Sequence, residues 1–435
     1  MRTRSQARRD VRIAHATLSS LPNETLDLIF GIFSRHQSTG PDAYIRGTKQ
    51  QSDERSWHSV QCHALFSLSL VSKRFHDIAQ PILYREFVPG YGDSWKSTLY
   101  IWDGRLTSFL QTITERPDLA AFVRRIYIHS YLLKSVGNKE NQEGIEQAAR
   151  AVGIEEWQQL WASDLVIILI SKLPNLKHFR FQTGSSPLMG LFHSHLCDGS
   201  ISVFPLTTID INTYAATNLS DYNRLFNLES CTGGILNLSK NLETLNLQMC
   251  GGIQDRAPIP ALPNLKTLRV THSRLNKKDL EGLLSSCGNL HTFVYEATET
   301  YIDTNQCLHD LGGPRDHFEL SNAVRYLSRH RATLKSLHRD LRERGLDYFS
   351  NKAKASPPSF RVSDFTVLEH LFFSSKDICN NAKKHMVAES QTLVWFLPAS
   401  IVSIHLEGNP CDLLPRLIKG YLVSPKPSRK ANFPS

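Results

Sequence analysis

Apolar residues in the first ninety positions recur with the spacing of short helices. Three stripes have this spacing, formed by Leu26, Ile29, Phe30 and Phe33, by Ala64, Leu65, Leu68 and Val71, and by Phe75, Ile78 and Ala79. Pro22 suits the first turn of the first helix, and we expect Pro81 to end the third. Residues 36–58 are polar and contain Gly40 and Gly47, which indicates a flexible insertion. The pattern predicts a unit of three helices over residues 18–88.

Beyond residue 88 the pattern changes to a short repeat, apolar-x-x-apolar-x-apolar. Clear copies begin at Val123, Leu176, Leu206, Leu242, Leu265, Leu290, Leu368 and Ile401, and a weaker copy begins at Leu334. Within one copy, alternation places Leu245 and Leu247 on one face of a strand and Asn246 and Gln248 on the other. One such strand cannot bury its apolar face alone, so we expect stacked parallel strands.

The segments between these copies carry helical spacing at residues 154–172, 279–286 and 318–330. We therefore expect an α+β or α/β chain, in which the helical unit is followed by a domain of strand–helix turns over residues 89–423. Because the copies recur at irregular intervals, a plain α/β domain is the alternative. Several copies begin with a similar dipeptide, at Pro174-Asn175, Pro263-Asn264 and Gly288-Asn289.

The net charge of +9 lies at the two ends of the chain. The first twenty residues carry five Arg and one Asp, and the last twenty carry five Lys or Arg and no acid. The remaining 395 residues balance 40 basic and 40 acidic side chains. We predict a disordered basic arm at 1–17 and a disordered basic tail at 424–435. These suit solvated ends or nuclear-import signals; a mitochondrial presequence is the alternative. A nucleic-acid partner is not expected, because a binding domain concentrates basic charge on a folded face.

The longest fully apolar run, residues 165–170, is far shorter than the roughly 20 residues that cross a bilayer, so no membrane partner is expected. Eight scattered cysteines without CxxC spacing predict reduced thiols and a cytoplasmic or nuclear location. A weak group at His193, His195, Cys197 and Asp198 lacks a second ligand pair, so no metal is expected.

One motif invites an enzymatic interpretation. His338-Arg339-Asp340-Leu341 matches the start of a protein-kinase catalytic loop. The asparagine needed five residues after Asp340 is Gly345, and Phe365 is followed by Thr366 instead of glycine. No glycine-rich phosphate loop precedes them. We therefore expect no catalytic residues and no cofactor.

The first unit resembles an F-box, carried by Leu21-Pro22-x-Glu24 and by Leu65-x-x-Leu68-x-x-Val71-Ser72-Lys73-x-Phe75. The whole chain resembles the fungal F-box proteins with degenerate leucine-rich repeats. The family commonly has Trp where this chain has Phe75, and a tighter connection than residues 36–58 provide. The resemblance implies a leucine-rich-repeat solenoid with its parallel sheet on the concave face.

The resemblance further implies a non-catalytic substrate receptor of an SCF-type ubiquitin ligase, with a Skp-type adaptor, a cullin and a protein substrate as partners. The implied adaptor contacts are Leu21, Pro22, Leu26, Ile29, Phe30, Phe33, Leu65, Leu68, Val71 and Phe75. The polar strand positions predict substrate contacts at Arg180, Asp210, Asn246, Gln248, Arg269 and Glu296, which mix both charges. Two alternatives are a repeat scaffold acting outside any ubiquitin ligase and a helical unit that merely caps the repeats.

Overall fold

The computed structural model describes residues 18–34, 57–89, 104–129, 132–133, 146, 149–150, 162–183, 203–213, 226–228, 234–253, 259–297, 320–340, 362–374 and 391–407. The predicted basic arm, the predicted tail, the histidine–cysteine group at 193–198 and nearly all of the predicted insertion lie outside these ranges.

Three helices form the N-terminal unit: α1 (Asn23–Gly31), α2 (Trp57–Ser69) and α3 (Lys73–Leu83). Ser72 caps α3, since its hydroxyl accepts the Phe75 N–H at 3.2 Å. The prediction that Pro81 ends this helix is wrong, because α3 continues to Leu83. A proline in the last turn removes only its own N–H bond, and the Tyr84 N–H still reaches the Gln80 carbonyl at 3.0 Å.

The helical unit has a hydrophobic core of its own. Its buried side chains are Leu26, Phe30, Leu65, Phe75, Ala79 and Ile82. Phe30 and Phe75 meet edge to face, with ring centroids 5.5 Å apart and planes at 82°. Arg74 fastens the chain before α1 to α3 by donating to Asn23 Oδ1 at 2.7 Å, to the Ser19 carbonyl at 2.6 Å and to the Leu21 carbonyl.

Ten strands form one open sheet in which every neighbouring pair is parallel and the spatial order follows the chain. The strands are β1 (Glu86–Phe87), β2 (Arg125–His129), β3 (His178–Thr183), β4 (Thr208–Thr213), β6 (Thr244–Gln248), β8 (Thr267–Ser273), β9 (Thr292–Ala297), β10 (Ser336–Asp340), β11 (His370–Ser374) and β12 (Ser403–Glu407). A separate pair, β5 (Phe226–Asn227) and β7 (Cys250–Gly252), is also parallel. The fold is of the α/β type.

Each of the nine repeat copies gives one strand of this sheet, β2 to β4, β6 and β8 to β12, so the predicted strand positions are confirmed. The tenth strand, β1, lies inside the segment assigned to the helical unit. It is two residues long and pairs Glu86 with Arg125 and Phe87 with Ile126. The sheet thus begins before residue 88, and the repeat pattern is too long to detect so short a strand.

The helices that follow the first unit are α4 (Arg105–Glu115), α5 (Pro117–Ala120), α6 (Ala162–Ser171), α7 (Ile235–Leu238), α8 (Lys277–Ser286), α9 (Leu320–Leu327) and α10 (Thr392–Phe396). Buried side chains from α4 and α6 to α10 share one hydrophobic cluster with the apolar face of the sheet. The predicted helical segments contain α6, α8 and α9. Helix α8 begins two residues before the predicted start, because Asn276 and Asp279 form a reciprocal capping box.

Successive turns are joined at the start of each strand. The N–H groups of Lys266 and Thr267 both donate to the Glu243 carbonyl at 2.9 Å, and those of His291 and Thr292 both donate to Lys266 at 2.8 and 2.9 Å. The asparagine of the repeated dipeptide adds a side-chain bond. Asn264 Nδ2 donates to the Lys240 carbonyl and Asn175 Nδ2 to the Ala121 carbonyl, both at 2.9 Å, so these two turns are held by backbone and side chain together.

Candidate functional site

Two surfaces carry the residues that the sequence singles out: the outside of the helical unit, and the polar face of the sheet, by which we mean the side opposite the helices. Of the ten expected adaptor contacts, Leu26, Phe30, Leu65 and Phe75 are buried in the core of the unit. Leu21, Ile29, Phe33 and Leu68 are half-buried, and Pro22 and Val71 are exposed. The four buried side chains therefore build the fold of the unit, and any effect they have on a partner is indirect.

The helical unit exposes apolar side chains that its own core does not use. Of the twelve large exposed hydrophobic side chains in the described residues, seven lie on this unit: Leu18, Leu28, Ile32, Val60, Phe66, Leu70 and Val71. Only Val71, which is 65% exposed, was among the expected contacts. Helical spacing identifies the residues that face inward. The other exposed apolar residues lie outside that spacing.

The polar face is arranged in rows that cross the strands. In the middle row the backbone register places Tyr127, Arg180, Asp210, Asn246, Arg269, Val294, His338, Phe372 and His405 on neighbouring strands. Arg180, Asp210, Asn246 and Arg269, four of the predicted substrate contacts, therefore lie in one row. Gln248 and Glu296 are two residues further along their strands.

Arg180 does not meet the expectation of an exposed side chain. It is only 7% exposed, and its guanidinium carbon lies 5.6 Å from the centre of the Tyr127 ring. A planar cation against an aromatic face is a favourable contact that also removes both groups from water. Arg180 is thus less available to a partner than the alternation of the strand suggested.

Asp210 joins three strands of the polar face. Its Oδ2 atom lies 2.6 Å from His178 Nε2, and its Oδ1 atom accepts from Asn246 Nδ2 at 2.5 Å. Burial raises the pKa of this carboxyl, but the hydrogen bond and charge of His178, the charge of Arg180 and the hydrogen bond from Asn246 outweigh it, so the pKa lies below its ordinary value. Asp210 therefore holds β3, β4 and β6 together in its ionised form.

This carboxylate should give stability that depends on pH. Because the pKa of Asp210 is lower in the folded chain, its contribution is present above the ordinary value of about 4 and is lost as the pH falls through the lowered value. Asp210→Asn should lower the free energy of unfolding at pH 7 by about 1.5–3 kcal/mol and flatten its fall below pH 4. Urea unfolding at several pH values measures both effects. Asp77→Asn, at an exposed position of α3, is the control and should leave the profile unchanged.

Glu296 lies between two imidazole rings. Its carboxylate oxygens are 3.9 Å from His272 Nδ1 and 3.8 Å from His338 Nε2, distances too long for hydrogen bonds. His272 reaches this position because the pairing of β8 with β9 shifts register between Val270 and Ser273, and because its own φ is 49°. Such a bulge adds one residue and turns it toward the polar face.

The first three residues of the kinase-like motif, His338 to Asp340, lie on β10 and are part of the sheet. Arg339 is the register partner of Tyr295 and is buried on the face turned toward the helices. His338 points to the polar face. Among the described cysteines, Cys62, Cys250 and Cys287 form no disulfide, and burial raises the pKa of Cys287 to about 12. Within the described ranges no three His, Cys, Asp or Glu side chains come together as metal ligands.

None of the helices in the described residues combines the length and apolar character needed to cross a membrane. No protein-family model matches the chain, and no curated protein matches it.

Proposed function

We propose that this protein is a non-catalytic substrate receptor of a cullin–RING ubiquitin ligase. The helical unit would act as an F-box that docks on a Skp-type adaptor, and the repeat domain would bind a protein substrate through the polar face of the sheet. The receptor then raises the effective concentration of the substrate near the ubiquitin-charged enzyme and fixes its orientation.

The observation that best supports this proposal is the set of large apolar side chains that the helical unit leaves exposed. Its core is already closed by Leu26, Phe30, Leu65 and Phe75, yet seven large apolar side chains stay exposed within residues 18–71. Covering one such side chain is worth about 1.5–3 kcal/mol. A partner helix or groove that covers several of them gains enough to bind, so the unit has the surface of a docking module.

The repeat domain supports the same proposal. Strands that follow one another in chain order, each with its apolar residues turned toward helices, agree with a degenerate leucine-rich-repeat solenoid. Such an array presents a long polar face, which suits recognition of an extended protein segment better than a small molecule.

Adaptor binding should depend on the exposed apolar residues and not on the core. Ile32→Asp and Val71→Asp should each weaken binding to a purified Skp-type adaptor at least tenfold, because a charge on a buried contact must be desolvated. Both side chains are exposed, so the melting temperature should stay within a few degrees. Calorimetric titration of the full chain with the adaptor measures the affinity.

Val402→Asp is the matched control, since Val402 is 74% exposed but lies beside β12, in the repeat domain. It should leave adaptor binding intact. Leu26→Ala should weaken binding only together with stability, because Leu26 lies in the core of the unit. If Ile32→Asp and Val71→Asp bind the adaptor as tightly as the native chain, or if the native chain does not bind it, the F-box assignment is wrong.

A further inference from the structure

The polar face of the sheet changes in charge along its length. Its outward positions on β1 to β8 carry three arginines and two acids, namely Arg125, Arg180, Arg269, Glu86 and Asp210, and Arg125 lies 3.5 Å from Glu86. On β9 to β12 the outward positions carry no Lys or Arg. Glu296 lies there on β9, Asp340 has its register position on β10, and Glu407 pairs with Ser374 at the end of β12. The sequence alone mixes these charges, and the register shows that the outward arginines are confined to one half of the sheet.

A row of stacked rings runs beside the acidic positions. His338 and Phe372 have ring centroids 4.0 Å apart with planes at 14°, and Phe372 and His405 have centroids 4.6 Å apart with planes at 5°. These residues are direct register partners on β10, β11 and β12. Rings stacked across strands cover one another's faces, so their outer edges form a continuous strip on the polar face, with one phenyl ring between two imidazole rings.

The strip of rings and the acidic positions are parallel and two residues apart along the strands, which is about 7 Å. A Lys or Arg side chain fits this arrangement. Its aliphatic stem can pack on the rings while its charged end reaches the acidic positions. The carboxylate of Glu296 can accept from such a cation, because its two imidazole neighbours are beyond hydrogen-bond distance.

We propose that the polar face over β9 to β12 binds a Lys- or Arg-bearing segment of a protein partner, with the stems on the ring strip of His338, Phe372 and His405 and a charged end at Glu296. The inference rests on the proposed function only in assigning this segment to the substrate. Because the outward positions of β9 to β12 carry no Lys or Arg, this end of the sheet is the more favourable one for the basic part of the segment.

A synthetic Gly/Ser peptide with Arg at every third residue tests the proposal. In polyproline II form, which has three residues per turn and a rise of about 3.1 Å, its arginines lie on one face about 9 Å apart, close to twice the inter-strand spacing of about 4.8 Å. Fluorescence anisotropy with the full chain should show binding of this peptide that weakens at higher salt. The same peptide with Gln or with Glu in place of Arg should bind at least tenfold more weakly.

Two variants locate the site. Glu296→Gln keeps the shape of the side chain and removes its charge, and His405→Ser shortens the ring strip at an exposed position. Each substitution should weaken binding of the Arg peptide several-fold to tenfold. Glu243→Gln is the matched control, because this exposed acid pairs with Lys266 at 2.8 Å outside the polar face. The proposal fails if the Arg peptide binds no better than the Gln peptide, or if Glu243→Gln weakens it as much as Glu296→Gln.

The failure of this inference and that of the proposed function can be told apart. Glu296→Gln lies outside the helical unit and should leave adaptor titrations unchanged. If the chain binds the Arg peptide but not the adaptor, the cationic-segment proposal is supported and the ligase role is rejected. A chain that binds the adaptor but not the peptide keeps the ligase role and excludes a cationic segment at this surface.

Discussion

Leu245→Ala is expected to lower the free energy of unfolding by about 2–5 kcal/mol, the usual cost of removing a buried leucine from a packed core. Leu245 is fully buried on β6, and its register partners in the same apolar row are Ile209 and Leu268. Because the next row on the same face, Ile211, Leu247 and Val270, is also buried, the backbone cannot close the cavity without disturbing two neighbouring strands. Urea unfolding at pH 7 measures the loss, and Leu268→Ala should reproduce it.

The matched control is Arg269→Ala, one residue from Leu268 on the opposite face of the same strand. Its side chain is half-exposed, so the change should stay within about 0.5 kcal/mol. Asn246→Ala should fall between these limits, because it removes the 2.5 Å hydrogen bond to the Asp210 carboxylate. Equal losses for Arg269→Ala and Leu245→Ala would contradict the alternation on which the polar face depends.

The strands could be predicted because their signal is local. Alternation over five or six residues assigns Leu245 and Leu247 to the interior whatever the neighbouring strand is, and parallel stacking follows from the need to cover the other side. The weak copy at Leu334 was predicted for the same reason, although its strand carries a buried arginine, Arg339, where the other copies are mostly apolar.

Properties that depend on neighbouring strands could not be predicted. The contact of Asp210 with His178 and Asn246 joins residues that are 32 and 36 positions apart, and it requires the register. The confinement of the outward arginines to one half of the polar face has the same origin. Arg180 illustrates the limit: alternation turns it away from the helices, but its contact with Tyr127 buries it.

The helical unit shows a different limit. Helical spacing identifies Leu26 and Phe30 as one face of α1, and in a unit with its own core that face is the interior. Leu28 and Ile32, which lie off the stripe, are the exposed apolar residues. A docking surface on a small domain is therefore indicated by apolar residues that the core pattern does not explain, and this distinction requires knowing which helix covers which.

Gly288→Ala is expected to destabilise the chain by about 3 kcal/mol, as an overpacked site does when its surroundings cannot move. A Cβ atom at this position would lie 2.0 Å from the Pro263 carbonyl oxygen and 2.7 Å from its carbon. These are backbone atoms of the preceding turn. That turn is fixed by two backbone hydrogen bonds. The Leu262 N–H donates to the Ser286 carbonyl at 2.8 Å, and the Gly288 N–H donates to the Leu262 carbonyl at 3.1 Å.

The same geometry explains why the dipeptide of the repeats reads Gly288-Asn289 here and Pro263-Asn264 one turn earlier. A proline at 288 would bring a ring into the same contact and remove the N–H that bonds to Leu262. Alanine keeps the N–H, so Gly288→Ala isolates the close approach from the loss of the hydrogen bond. Melts and hydrogen exchange of the β8 and β9 amides should both show the weakened turn.

Gly282→Ala is the control for the direction of the change in the free energy of unfolding. Gly282 lies within α8, and the nearest atom to an added Cβ is Ile259 Cδ1 at 3.9 Å, an ordinary contact. Both changes restrict the unfolded chain equally, so only the folded state distinguishes them. Gly282→Ala should raise the free energy of unfolding by about 0.5–1 kcal/mol through helix propensity, while Gly288→Ala lowers it. If both substitutions stabilised the chain, the turns would not pack as closely as their backbone bonds require, and the stacking of β8 on β9 would need another account.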